Sequence, residues 1–532
     1  MEERKDVHGN IIKERGREVF VISLAVVFAI VLWGIAMPES FGSVANNLFN
    51  YLTGSFGWFY LITMTLFVIF CVWVALSRYG KIKLGKKDEK PEFSTISWFA
   101  MLFSAGMGVG LVFWGVAEPL NHFVNPLGMD GGTAAAADFA LKTSFLHWGL
   151  HPWSAYGVLA LALAYMQFRH DKPAQISSVF IPLIGEAKAR GTIGKTVDIL
   201  AIFATVAGVA TSLGMATLQV TSGFNHLFGV PETDFVRLLV IGVITVLFII
   251  SAVTGVDKGI KWLSNANISL AGLIMVICLV IGPTMLIINN FTNTFGFYFS
   301  SIVRDSFRIG QDSWYGAWTL FYWAWWIAWA PFVATFIARI SRGRTVREFI
   351  GGVLFAPTLA SFVWFSILGT MGIETGTGVA EDAIAVTETA FFEVMQYYPA
   401  GGLISIIAVI LLITFFITSA DSATFVLGML SDKGNQNPSA KLKVTWGLIQ
   451  SGLAIALMLS GGLEMLQTGS IVAAFPFSFI MLFAMWAMIK AFKAEVKVDG
   501  VVDINEVAHH NMEEISKEKM KVDKLAQAAE AD

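Results

Sequence analysis

The sequence predicts an all-α integral membrane protein with about twelve transmembrane helices. Three observations lead there: only 14 % of residues are charged against 55 % hydrophobic, mean hydropathy is +0.66, and basic and base-poor loops alternate between long apolar runs. A soluble chain of 532 residues needs a more charged surface, whereas about 20 apolar residues suffice to cross a bilayer core. The net charge of -3 leaves no electrostatic footprint for nucleic acid. The 44 Phe and 17 Trp suit interface anchoring and cation binding.

In chain order the predicted spans are Val19–Met37, Gly57–Ser77, Thr95–Ala117, Phe139–Phe168, Val197–Phe224, Phe235–Thr254, Ile260–Ile288, Ala317–Ile340, Phe349–Met371, Gly402–Leu430, Val444–Leu463 and Ile471–Ile489. The first is longer than a signal-peptide core and lacks a small-residue cleavage site, so it reads as a retained span. Several exceed about 25 residues, which suggests tilted or broken helices. Cys71 and Cys278 lie inside apolar runs and read as buried thiols, with neither disulfide nor metal spacing.

Lys and Arg fix the orientation. They crowd the N-terminus (Arg4, Lys5, Lys13, Arg15, Arg17), the second loop (Arg78 to Lys90), the fourth (Arg169 to Lys195) and the later even loops, including Arg339, Arg342, Arg344 and Arg347. Odd loops and their flanks carry few, chiefly Lys142, Arg237, Arg304 and Arg308. Both termini are therefore expected in the cytoplasm. The polar stretch 289–316, with Phe295, Phe299, Val303 and Phe307 every fourth residue, reads as an amphipathic surface helix on the outer side. The tail 493–532 mixes acids and bases and reads as a cytoplasmic extension.

Two spans look irregular. In the third, Gly106, Gly108 and Gly110 alternate within Ser104–Gly110. Close helix packing needs small residues on one face; glycines at i, i+2 and i+4 point around the helix and suit an unwound segment with exposed backbone. The eighth, from Trp318 to Phe332, holds five tryptophans and the helix breaker Pro331. The fourth adds Trp148, Trp153 and Tyr156. Tryptophans commonly anchor helices at the interface, but a dense cluster on two helices fits a cage. A trimethylammonium group has no N–H to give a carboxylate, while aromatic faces attract its charge.

At these residues the chain closely resembles the betaine–choline–carnitine transporter (BCCT) family, across all twelve spans. The resemblance rests on Gly106-Met107-Gly108-Val109-Gly110, on Trp148/Trp153/Tyr156, and on the Trp-rich eighth span followed by Ala338-Arg339-Ile340-Ser341-Arg342-Gly343. It implies a leucine-transporter-like 5+5 inverted repeat preceded by two extra helices, a homotrimer in the bacterial cell (inner) membrane, and secondary active transport. The chain then divides into an N-terminal segment (1–18), two extra helices (19–94), a first five-helix repeat (95–288), the surface helix (289–316), a second repeat (317–492) and the tail (493–532). Glycine betaine is the implied substrate, a small zwitterion taken up for osmoprotection, with carnitine or choline carriage the alternative. Trp148, Trp153, Tyr156 and Trp326 would box the quaternary ammonium, Trp325 and Trp329 would line the site or its gates, and backbone at Ala105, Gly106 and Met107 would meet the carboxylate.

The resemblance also implies sodium as the coupling ion. Thr418 and Ser419, with carbonyls of Ser104, Met107 and Phe415, would form its shell; from the residues alone, those hydroxyls equally suit bonding back to the preceding helical turn. Thr205 and Phe332 mark a possible second sodium site, where Val209 replaces a hydroxyl that sodium-coupled members offer. Gly110 stands where choline carriers of the family place an acid, which favours a zwitterion and predicts that Gly110→Asp raises choline uptake. Glu118, before Pro119 at a span end, reads as structural. Asp421 and His151 lie at membrane depth and would either relay protons or hold helices together. No nucleophile, metal set or acid pair of an enzyme stands out.

Overall fold

The computed structural model describes residues 17–106, 108–254, 257–310, 313–498, 500 and 503–507, with the backbone alone at 103–106 and 257–261. Among these the chain is helical, apart from one isolated bridge between Lys83 and Thr345. In lipid the helix satisfies every backbone N–H and C=O within one segment, so long apolar runs fold no other way without an open edge.

The first half comprises α1 (Glu18–Ala36), α2 (Pro38–Leu76), α3 (Thr95–Gly106), α4 (Val109–Val124), α5 (Ala134–Trp148), α6 (Leu150–Ala164), α7 (Ile181–Arg190), α8 (Thr192–Phe228), α9 (Asp234–Thr254) and α10 (Asp257–Ile281). There follow α11 (Thr284–Phe307), a short α12 (Ser313–Tyr315) that leads through a π-helical turn into α13 (Phe321–Ile340), α14 (Val346–Glu374), α15 (Thr377–Ile384), α16 (Ala390–Met395), α17 (Gly401–Ser431) and α18 (Ala440–Val498). Nine described helices are long and apolar enough to cross a membrane. The third and fourth predicted spans fall outside that number because each is two shorter helices. The eleventh and twelfth count once, because they are joined in α18, where Gly461 and Gly462 leave helical backbone. Gly462, at φ 60°, takes a conformation that other residues rarely adopt.

Burial separates centre from rim. In α13 and α8, 89 % and 83 % of the most apolar window is buried, against 22 % in α10 and 28 % in α9. The rim helices turn Val276, Val280, Val243 and Val246 outward, as lipid-facing helices do. The centre is α8, α13 and α6, with α18 against them.

The predicted basic loops converge at one end. Arg169 pairs with Glu495 and donates to the Gly85 carbonyl at 2.9 Å. Arg342 meets Glu89 at 2.5 Å, Arg347 caps the Ala75 carbonyl, and Lys195 pairs with Glu18. Glu18 and Glu495 thus bring both ends of the described chain to the same end of the bundle. α18 is buried there through Phe492 and Glu495, so helix persists to Val498 where the sequence places a tail from 493. Residues 1–16 and 508–532 lie outside the described residues. α11 begins at Thr284, directly after Pro283 and not at Asn289; it exposes Phe295, Phe299, Val303 and Phe307 and is clamped by Lys142–Asp305 at 2.7 Å.

Candidate substrate site

The first helix interruption falls inside the glycine motif. α3 ends at Gly106 and α4 starts at Val109, with Gly108 extended at φ -126°, ψ -151°. Met107 lies outside the described residues; of Ser104, Ala105 and Gly106 only the helical backbone is described. A second interruption, unforeseen in the sequence, cuts the fourth span at Gly149 (φ -93°, ψ -131°), so Trp148 ends α5 while Trp153 and Tyr156 belong to α6. Conversely, the expected break at Pro331 is absent: α13 runs unbroken from Phe321 to Ile340.

These elements line a narrow cavity formed by Gly108, Val109, Gly110, Trp148, Val209, Ser212, Leu213, Trp325, Trp326, Trp329, Phe416 and Ser419. Trp148 meets Trp326 edge-on at 4.9 Å and Trp325 at 6.2 Å, and Trp325 stacks on Trp326 at 4.8 Å. Tyr156 stands edge-on to Trp326 at 6.3 Å and to Trp153 at 5.6 Å, flanking the cavity wall from α6. All six rings are buried, which sets them apart from interface anchors. Gly110 is tight for a mechanical reason: a Cβ there would sit 2.7 Å from Trp325 and 2.9 Å from Trp148. The aspartate considered above would therefore have to displace a ring of the cage before it attracted any cation.

Hydrogen bonds fix the rings. Trp326 Nε1 donates to the His147 carbonyl at 2.9 Å, Trp329 Nε1 to the Gly208 carbonyl at 2.8 Å, and Trp148 Nε1 to Glu118 Oε2 at 2.7 Å. Among the described residues, Trp325 Nε1 and the Tyr156 hydroxyl have no hydrogen-bond partner. Sequence reasoning underrated Glu118. It lies within α4, fully buried, and accepts from His147, Trp148 and Tyr322. The available signal was its charge inside an apolar helix, which marks a functional candidate by default.

The predicted ion ligands are partly gathered. Ser419 lines the cavity beside Gly108. Thr418 Oγ1 donates back to the Thr414 and Phe415 carbonyls at 3.0 and 3.2 Å and accepts from Asn267 Nδ2 at 3.2 Å. A hydroxyl has two lone pairs, so one remains for a cation. Thr205 bonds back to the Ala201 carbonyl at 2.8 Å, Phe332 packs on Trp329, and Val209 adds an apolar wall. Asp421 accepts from Ser251 at 2.6 Å, and His151 contacts Ser306 at 3.0 Å while stacking on Trp323, so both tie helices together.

Comparison with known proteins accords with this geometry. Residues 18–497 match the family described as BCCT, betaine/carnitine/choline family transporter. The chain is 49 % identical over 485 residues to the glycine betaine transporter OpuD of Bacillus subtilis, covering 90 % of this chain and 94 % of that protein. It is 44 % identical to the ectoine/hydroxyectoine transporter of Virgibacillus pantothenticus (88 % and 94 % covered) and 39 % identical to the glycine betaine transporter of Acinetobacter baylyi (90 % and 73 % covered). A cavity walled by tryptophans between an interrupted and an intact helix, in a chain matched to that family over nearly its whole length, makes this protein a multi-pass membrane transporter of the betaine/carnitine/choline family and not an enzyme.

Proposed function

We propose that the protein imports glycine betaine or a close quaternary-ammonium analogue by sodium symport, for osmoprotection, through the cell membrane with both termini in the cytoplasm. The observation that carries this reading is the Trp148/Trp325/Trp326/Trp329 cavity. Its ring faces suit a methyl-covered cation, each desolvated cation–π contact contributing about 2 kcal/mol. Gly108 and Val109 line the same cavity at the N-terminus of α4, where a helix leaves backbone N–H groups free to suit the substrate carboxylate, with the free Trp325 indole N–H as a further donor. Names of similar proteins support a betaine substrate.

Sodium coupling is supported by Ser419 at the cavity wall and Thr418 one residue before it. The cytoplasmic position of the termini is supported by the basic loops gathered with Glu18 and Glu495. Counting the two interrupted spans whole and dividing α18 at its glycines is compatible with twelve spans; their two-plus-five-plus-five arrangement and the homotrimer are what the family resemblance implies. The ectoine/hydroxyectoine relative favours a second reading: ectoine is also a small zwitterion, though with N–H groups on its cationic ring.

Uptake of labelled glycine betaine into proteoliposomes, under an inward sodium gradient and an equal potassium gradient, tests the proposal. Accumulation should require sodium, be competed by unlabelled betaine better than by ectoine, and fall with Thr418→Ala. Uptake indifferent to sodium would remove the Thr418/Ser419 site and point to an exchanger; stronger competition by ectoine would reassign the substrate.

A further inference from the structure

Glu118 belongs to no proposed ion site and lies outside the cavity lining, yet it is a buried carboxylate that faces three donors from two other helices. Its Oε2 accepts from Trp148 Nε1 at 2.7 Å and from the Tyr322 hydroxyl at 2.5 Å, and its Oε1 faces His147 Nδ1 at 2.7 Å. His147 Nε2 lies 3.0 Å from Thr319 Oγ1. The consistent assignment has His147 donating from Nδ1 and accepting the threonine hydroxyl at Nε2. The carboxylate therefore joins α4, the last turn of α5 and α13 at one point, and Glu118 and His147 are both fully buried.

Trp148 needs such a restraint. It is the last residue of α5, directly before the interruption at Gly149, so no further helical turn of its own holds it. Its ring must stand edge-on to Trp326 and clear of Gly110 to leave the cavity open. An indole N–H tied to a buried acceptor fixes the ring's rotation, because the side chain has only two torsions and the hydrogen bond defines the second. Glu118, His122 and His147 have the residue types of a metal site. However, both Glu118 oxygens already face donors at 2.5–2.7 Å, the arrangement of an acceptor filled by hydrogen bonds.

We propose that Glu118 is a positioning residue for substrate recognition, acting through Trp148 to hold the cage wall in its binding orientation. This rests on the reading of the tryptophan cavity as the substrate site. The role depends on reach and acceptor geometry more than on charge. In Glu118→Gln the amide oxygen can still accept from Trp148 and Tyr322, while His147 can change tautomer to accept the new N–H. In Glu118→Asp the charge is kept but the oxygens are withdrawn by one methylene. Glutamine should therefore serve better than aspartate, opposite to the ranking for a residue needed only for its charge.

The test is the KM and maximal rate of betaine uptake in proteoliposomes, normalised to inserted protein, for Glu118→Gln, Glu118→Asp, Trp148→Phe, Trp148→Phe/Glu118→Asp and Trp148→Ala. The proposal expects KM within about threefold of the starting protein for glutamine and raised about tenfold for aspartate. It also expects no further rise when aspartate is added to Trp148→Phe, whose ring has no N–H to hold. An unchanged KM in Glu118→Asp, aspartate outperforming glutamine, or multiplicative effects in the double variant would overturn it. Should Glu118→Asp fail to insert, Tyr322→Phe takes its place, removing one donor to the same oxygen; an unchanged KM there together with a raised KM in Glu118→Gln would likewise overturn it. A Trp148→Ala variant with unchanged KM would instead overturn the site reading itself, and with it the positioning role.

Discussion

The interrupted helices of the first half and the intact α13 reach the same cavity by opposite means. Around Gly108 and Gly149 the chain leaves helical backbone, and what it brings to the cavity is main chain at Gly108–Gly110 and a terminal tryptophan at 148. α13 stays helical through Pro331 and brings side chains, with Trp325 and Trp329 one turn apart on one face and Trp326 beside them. The difference follows from the two residue types. Glycine at a break adopts angles no helix contains, whereas proline has a helical φ and costs one hydrogen bond plus crowding of the carbonyl four residues earlier. Inside a packed membrane bundle that loss is tolerated. On the proposed reading, the broken helix would supply donors for an anion and the intact one would hold rings at fixed angles for a cation.

That division can be broken at either side. The largest effect belongs to the rings: Trp326→Ala should raise the KM for betaine about 30-fold, the equivalent of one desolvated cation–π contact of about 2 kcal/mol, and a change under threefold would take the cation away from α13. Next is the main-chain side. Gly110→Ala places a methyl against Trp148 and Trp325, an overpacking of about 1–3 kcal/mol, so uptake should fall about tenfold while Gly108→Ala, with only Ser419 near among the described residues, falls less; the reverse order would contradict the tight contact. Pro331→Ala should leave uptake within about threefold, because α13 does not use the proline to break; a larger loss would mean that it bends during transport.

The smallest effect concerns stability alone, at the basic end. Burial first, then Arg169 and Lys172, hold the His170 imidazole down at about 4. An unfolded histidine takes its proton near 6.5, so between those values the unfolded chain binds more protons and folded stability declines as pH falls from about 6.5 towards 4. His170→Gln should lose less of its thermal unfolding midpoint in detergent between pH 7.5 and 5 than the starting protein does, with uptake at pH 7.5 unaltered. Equal losses would show that other groups set the acid limb.

Much of this was legible in the sequence because lipid simplifies the code. Apolar length marks helices, and alternating glycines at 106, 108 and 110 mark the first break. The second break was missed: Gly149 is a single glycine in an apolar run, and the signal beside it was Pro152, which falls in the first turn of α6 and has no N–H to carry the α5 ladder on. The aromatic residues of the cage were found from their density, but their wiring was not. Whether Glu118 caps a helix end or gathers Trp148, Tyr322 and His147 is decided by residues 29 to 204 positions away, and one sequence carries no record of that proximity. For Thr418 the back-bonding reading is seen directly, its hydroxyl donating to the preceding turn, while the sodium reading stays a proposal for the uptake test.

The most direct test of the cage is equilibrium binding by calorimetry of glycine betaine beside 3,3-dimethylbutanoate, a compound of the same outline in which carbon replaces the cationic nitrogen. Recognition by ring faces predicts that the isostere, which keeps the carboxylate but has no cationic centre, binds at least about 30-fold more weakly, with the gap closing in Trp326→Ala. Equal affinity for the two would mean that the cavity reads shape alone, and would contradict the account.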